Sequence, residues 1–123
     1  MQPTTQLVHG DLVDYSKRLQ DCLILLNDPH LISQIDSYPH ARTRKAYLGF
    51  HEGIVATALE CQSDLAALDN YLRLAGSTSF RGRISFANVK RKVKHLPRSS
   101  APYSERVDWC KDLAAELVDQ VNA

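Results

Sequence analysis

The chain has 123 residues and a formal net charge of +1, with 44% hydrophobic and 24% charged residues. This length fits one domain, 1–123, that buries most of its apolar surface without cross-links or metal. The balanced charge excludes a global field for nucleic acid or membrane. The longest purely apolar run, Cys22 to Leu26, is far too short to span a bilayer.

The opening MQPTTQLVHGDL has no basic stretch followed by an apolar one, so no secretory leader is expected. Thr4 or Thr5 can cap a first helix reaching about Asn27. Its apolar residues Leu12, Tyr15, Leu19, Cys22, Leu23 and Leu26 recur at steps of three and four. Asp28-Pro29 is a stop and a restart, because proline suits a first helical position and aspartate the N-cap before it. Leu31, Ile32 and Ile35 then form a short second helix. Tyr38-Pro39 closes it, since the residue before proline is pushed out of the helical region.

From Pro39 to Gly76 the chain reads as one long amphipathic helix around which the rest is organised. Tyr47, Ile54, Cys61, Leu68 and Ala75 are spaced by seven, and so are Arg44, His51, Ala58, Leu65 and Leu72. Leu48, Val55 and Leu59 widen this seam. Gly49 and Gly53 mark a close backbone approach or a bend, and Gly76 is a helix-ending residue. Ser77 to Gly82 reads as a loop and about Ser85 to His95 as a fourth helix, with Phe86, Val89, Val93 and Leu96 as its stripe. A Pro/Ser loop, 97–102, precedes a last helix capped by Ser104 and running from about Glu105 to Val121. Val107, Cys110, Leu113, Ala114, Leu117 and Val121 form its apolar side, with Trp109 flanking. Asp108, Asp112, Glu116 and Asp119 lie opposite. No segment alternates at period two long enough to be a strand. The fold class expected is all-α, an antiparallel bundle of four main helices plus one short helix.

Cys22, Cys61 and Cys110 are odd in number, widely spaced and each on an apolar helix face. They read as buried thiols in a reducing, cytoplasmic setting. No CxxC or HxxxH spacing suggests a metal site, and no phosphate loop or nucleophile elbow suggests a cofactor or an acyl-transfer centre. His9, His30 and His40 fall near helix ends and read as solvent residues.

Two constellations remain. Arg81, Arg83, Lys90, Arg91, Lys92, Lys94 and Arg98 lie within residues 81–98, which contain no acid, leaving the rest of the chain at −6 against the total of +1. Such a cluster suits an acidic protein partner, an anionic lipid surface or nucleic acid. The few nearby aromatics, Phe80 and Phe86, disfavour single-strand stacking. The bland reading is a solvated face, or an internal one with Lys90 or Lys94 facing Asp112 or Glu116. The second constellation is Arg44 with His51, which project from one side of the long helix two turns apart. This pair resembles the R-x4–6-H signature of the HEPN ribonucleases, helical bundles that cleave RNA without metal. The resemblance implies His51 as general base and Arg44 as the stabiliser of a pentacovalent phosphate. Lys45 stands where that family usually has a polar residue. The competing reading is an arginine lying along the helix start and a satisfied, half-buried histidine.

Cys61-Gln62-Ser63-Asp64-Leu65-Ala66-Ala67-Leu68-Asp69-Asn70-Tyr71-Leu72, a Ser-rich loop, then Arg81-Gly82-Arg83-Ile84-Ser85-Phe86 and a basic helix resemble the N-terminal helical domain of fungal STAND (NLR-like) proteins. Ser85-Phe86 replaces the Lys-Trp-Pro-Phe-like step of that family, and the basic helix lacks its acidic residues. The resemblance implies a protein-interaction and signalling domain that oligomerises through helix faces, with no catalytic residues. The function expected is therefore a non-enzymatic helical domain that binds a partner or itself. Arg81, Arg83, Lys90, Arg91, Lys92 and Lys94 are its contact residues. The HEPN-like ribonuclease and an anionic lipid or nucleic-acid binder are the alternatives.

Overall fold

The computed structural model describes residues 6–123. It contains five helices in the order α1 (His9–Leu26), α2 (Pro29–Asp36), α3 (Ala41–Leu74), α4 (Phe80–Lys92) and α5 (Ala101–Asn122). Among the described residues the only β-type pairing is an isolated bridge between Gln6 and Ser99. No helix is long and apolar enough to cross a membrane. The chain is all-α.

α1 begins at His9, where the Asp11 carboxylate accepts the Val8 backbone N–H at 3.3 Å. The expected caps Thr4 and Thr5 lie outside the described residues. α2 follows the sequence reading closely: Asp28 is the N-cap, its carboxylate accepts the His30 N–H at 3.1 Å, and Pro29 opens the helix. α3 ends at Leu74, but not through a left-handed glycine. No glycine has positive φ, and Ala75 takes the C-cap in right-handed geometry. The space above Gly49 and Gly53 is open, so neither marks a close backbone approach.

Two other boundaries differ from expectation. α4 starts five residues earlier than its sequence pattern indicated, because Ser79 caps it by accepting the Gly82 N–H at 3.0 Å. α5 starts at Ala101 with Ser100, not Ser104, at its N-cap, and Pro102 lies in its first turn. Proline is tolerated there because the N–H it lacks would have no helical partner anyway.

α1, α3 and α5 pack mutually, α2 lies against α3 and α5, and α4 packs on α3. The core is built from the predicted faces: Leu12, Leu19 and Leu26 of α1, Ile54, Ala58, Cys61, Leu65 and Leu68 of α3, and Val107, Cys110, Ala114 and Leu117 of α5 are all buried. Leu59, expected to widen the α3 seam, is exposed. Residue pairs fix the register. His9 Nδ1 meets Asp69 Oδ1 at 2.6 Å, so His9 is paired rather than merely solvated. Gln62 Nε2 donates to the Ser16 carbonyl and to Gln20 Oε1, and Arg106 Nη1 contacts Asp64 Oδ2 at 3.2 Å.

Each long helix contributes one cysteine to the core. Cys22, Cys61 and Cys110 are all free and buried, and Cys110 lies near enough to the other two for their charges to oppose its ionisation. Burial, foremost, and those two neighbours push the Cys110 thiol up to about 11. Burial also raises Cys22 and Cys61.

A candidate interaction surface on α4

Tyr71, near the end of α3, is the residue that seats α4. Phe86 stacks on its ring, with centroids 5.2 Å apart at 28°. The Arg98 guanidinium sits 4.6 Å from the ring centroid and Nη1 donates to the Tyr71 hydroxyl at 2.9 Å. At the start of the helix, Gly82 is buried beneath the α3–α4 turn. A Cβ there would lie 2.6 Å from Ser77 Cβ and 2.8 Å from Ser79 Oγ. This is the one position where the absence of a side chain decides the local path. Val93, just past the helix, is fully buried. Beyond it the chain is tied down by three contacts. Tyr103 donates to the Pro97 carbonyl at 2.6 Å, the Leu7 N–H donates to the Arg98 carbonyl at 3.0 Å, and the Tyr15 and Ser100 hydroxyls hydrogen-bond to each other.

Gly82, Phe86, Val89 and Val93 thus occupy one side of α4. At about 100° per residue, the opposite side carries Phe80, Ile84, Ala87 and Arg91. Phe80 is 80% exposed and Ile84 49% exposed. Arg83, Lys90 and Lys94 flank this apolar strip on one edge, and Arg81 and Lys92 on the other; all are exposed. Lys90, Arg91, Lys94 and Arg98 surround a shallow groove floored by Ala87. Among the described residues the acid–base contacts are the His9–Asp69 hydrogen bond and the ion pairs Arg18–Asp14 and Arg106–Asp64, so none of these cations is neutralised by them. The internal pairing of Lys90 or Lys94 with Asp112 or Glu116 is not formed, because α4 is seated on α3.

Sequence reasoning located the cations and noted Phe80 near them, but placed Phe80 in a loop and did not single out Ile84. Ser79, a residue suited to an N-cap, starts the helix early enough to place both on its outer face, but the loop propensity of the residues around it masks that signal.

Arg44 and His51 are both half-buried, and each is directed to a backbone carbonyl. Arg44 Nη1 donates to the Tyr38 carbonyl at 2.9 Å. His51 Nε2 lies 2.5 Å from the Leu26 carbonyl. A carbonyl only accepts, so Nε2 carries the proton in this contact. The histidine thereby satisfies a carbonyl left open at the end of α1. Tyr38 in turn packs edge-on against Tyr47, with centroids 5.0 Å apart, and its hydroxyl donates to the Val121 carbonyl at 2.7 Å. The surroundings of Arg44 and His51 are therefore the joints between α1, α2, α3 and α5. Among the described residues, no group of three His, Cys, Asp or Glu side chains is arranged to hold a metal ion.

No protein-family model matches the sequence, and neither a curated protein nor a solved structure matches it significantly.

Proposed function

We propose that the chain is a non-enzymatic interaction domain whose contact surface is the outer face of α4. Its scaffold is a bundle in which α3 runs antiparallel to α1 and α5, with α4 appended to α3. The pairings His9–Asp69, Gln62–Ser16 and His51–Leu26 for α1, and Arg106–Asp64 with Tyr38–Val121 for α5, support that arrangement. The observation that carries the functional reading is Phe80 and Ile84, solvent-exposed, bordered by Arg81, Arg83, Lys90, Arg91, Lys92 and Lys94 with no acid of the same chain paired to them. Core folding needs neither feature, since the buried side of α4 is complete without them. An apolar centre with a charged rim is the anatomy of a protein-contact patch. The STAND-like order of Cys61 to Leu96 points the same way, toward signalling by association in the cytoplasm.

The test is affinity capture with the wild-type chain and with Lys90→Glu/Arg91→Glu/Lys94→Glu, followed by mass spectrometry of the bound proteins. Proteins retained by the wild type and lost from the variant, at an unchanged helical circular-dichroism signal, are the expected result. Equal retention by both chains would remove α4 as the contact surface.

A further inference from the structure

We infer that the α4 face docks onto the outer face of α5 in a second copy of the same chain. This inference rests on the reading of α4 as the contact surface and names its partner.

The argument is complementarity of charge, length and shape. The buried side of α5 is Tyr103, Val107, Cys110, Ala114, Leu117 and Val121. The side opposite carries Glu105, Asp108, Asp112, Glu116 and Asp119, all exposed. None of these five enters an ion pair among the described residues; Glu116 only accepts from Gln120 Nε2 at 3.1 Å. Lys111 is turned away toward α1, where it lines a groove with Arg18 and Asp21. The chain therefore presents two unneutralised helical stripes of opposite sign on different helices. At 1.5 Å per residue, Glu105 to Asp119 spans about 21 Å and Arg81 to Lys92, where α4 ends, about 17 Å. The near-zero total charge of the molecule is the sum of these opposed surfaces, so association at low salt is attractive despite a net charge of only +1.

Shape selects a protein over a flat membrane. The α4 surface is notched where Lys90, Arg91, Lys94 and Arg98 surround Ala87. A knob is available in the right chemical setting: Trp109 is 46% exposed and borders the acidic stripe beside Asp108 and Asp112. An indole seated among four cations gains cation–π attraction, while the acids around it meet the rim. The two faces lie on different helices, so the contact is heterologous. Made once per pair, it closes a ring or leaves a free α4 and a free α5 at the ends of a growing chain; made twice about a two-fold axis, it becomes an isologous dimer.

The experiment is light scattering or sedimentation of the full chain across concentration and ionic strength. At low salt, a mass rising above the 13.8 kDa monomer is expected, whether it plateaus at the dimer or keeps growing. In about 1 M salt, where screening acts within about 3 Å, it should return to the monomer. Lys90→Glu/Lys94→Glu and Asp108→Lys/Asp112→Lys should each weaken association at least about tenfold, and Trp109→Ala should weaken it with no charge change. Mixing the two reversed chains, or combining both reversals in one chain, should restore it. A 13.8 kDa mass at every concentration in low salt overturns the inference. So do association that survives either reversal, and reversed chains that fail to rescue one another. A monomeric chain that co-sediments with anionic phospholipid vesicles assigns the face to lipid instead and also overturns it. A monomeric chain whose α4-reversed variant still loses its captured proteins overturns self-association alone and leaves the contact-surface reading in place.

Discussion

Gly82 and His51 show how much of the molecule's geometry hangs on single side chains that a hydrophobic pattern does not record. At Gly82 the missing Cβ leaves room for Ser77 and for the Ser79 cap. Gly82→Ala is expected to destabilise the protein by about 1–3 kcal/mol, although alanine favours a helix by roughly 1 kcal/mol over glycine. Urea denaturation reads the sign directly, and a stabilised variant would mean that the turn yields without cost. His51 satisfies the Leu26 carbonyl at the end of α1. His51→Ala leaves that carbonyl unpaired and should cost about 1–2 kcal/mol. Thermal unfolding checks this, and an RNA-cleavage assay on the wild type and on the same variant separates a joint from a general base. Equal stability combined with a lost nuclease activity would support the base.

At the scale of elements, the division of labour within α3 was legible and that around α4 was not. The seam from Ala58 to Leu68 is buried as its heptad spacing implies, and Asp28-Pro29 sets the start of α2 through the predicted cap. These features depend on local chemistry and periodicity, which a sequence displays. The start of α4 was hidden because Gly82 and the serines around it carry loop propensity, and only the fit against Ser77 makes a glycine welcome in a first helical turn. The destinations of Arg44 and His51 were hidden for another reason. Tyr38 O, in the α2–α3 connection, and Leu26 O, at the end of α1, are ordinary backbone atoms that no residue pattern marks as acceptors, and the second comes within reach only when α3 packs on α1. Within the candidate surface, the cations were visible as a run free of acid, whereas Phe80, Ile84 and Trp109 needed the correct helix phase.

α4 also differs from the other helices in what holds it. Gly82 is its only buried residue, and Tyr71 with Phe86 supplies its main aromatic contact. Few buried contacts mean local opening at a free energy well below that of the whole domain. Hydrogen exchange should therefore be faster in α4 than in the central turns of α1, α3 and α5, and Tyr71→Ala should accelerate α4 selectively. Uniform protection across the four helices would contradict this.

For the molecule as a whole, the buried ionisable groups set a direction for its response to alkali. Cys110 is pushed up from 9.0 to about 11, chiefly by burial, and Tyr103 from 10.0 to about 12, chiefly by burial with Asp64 adding to it. A raised acid holds its proton more tightly folded than unfolded. The stability it confers is therefore complete below the unfolded value and is lost as pH rises toward the folded one. Unfolding free energy should decline from about pH 9, through ionisation of Cys110, and further above pH 10 through Tyr103. Denaturant titrations from neutral pH to pH 11 check the slope, and Cys110→Ala should make its first part shallower without removing it, because Cys22 and Cys61 are raised by burial as well.

The placement of one thiol on each long helix gives the protein a built-in clock. Cys61 and Cys110 are fully shielded while their helices are docked, so an alkylating reagent reaches them only after the core opens, whereas Cys22, 7% exposed, borders the surface groove beside Lys111 and needs less motion. Intact-mass spectrometry of briefly labelled protein then counts how many helices have parted at once. A population split between zero and three adducts describes a core that opens in a single event. An accumulating one-adduct species mapped to Cys61 or Cys110 would name the helix that leaves first.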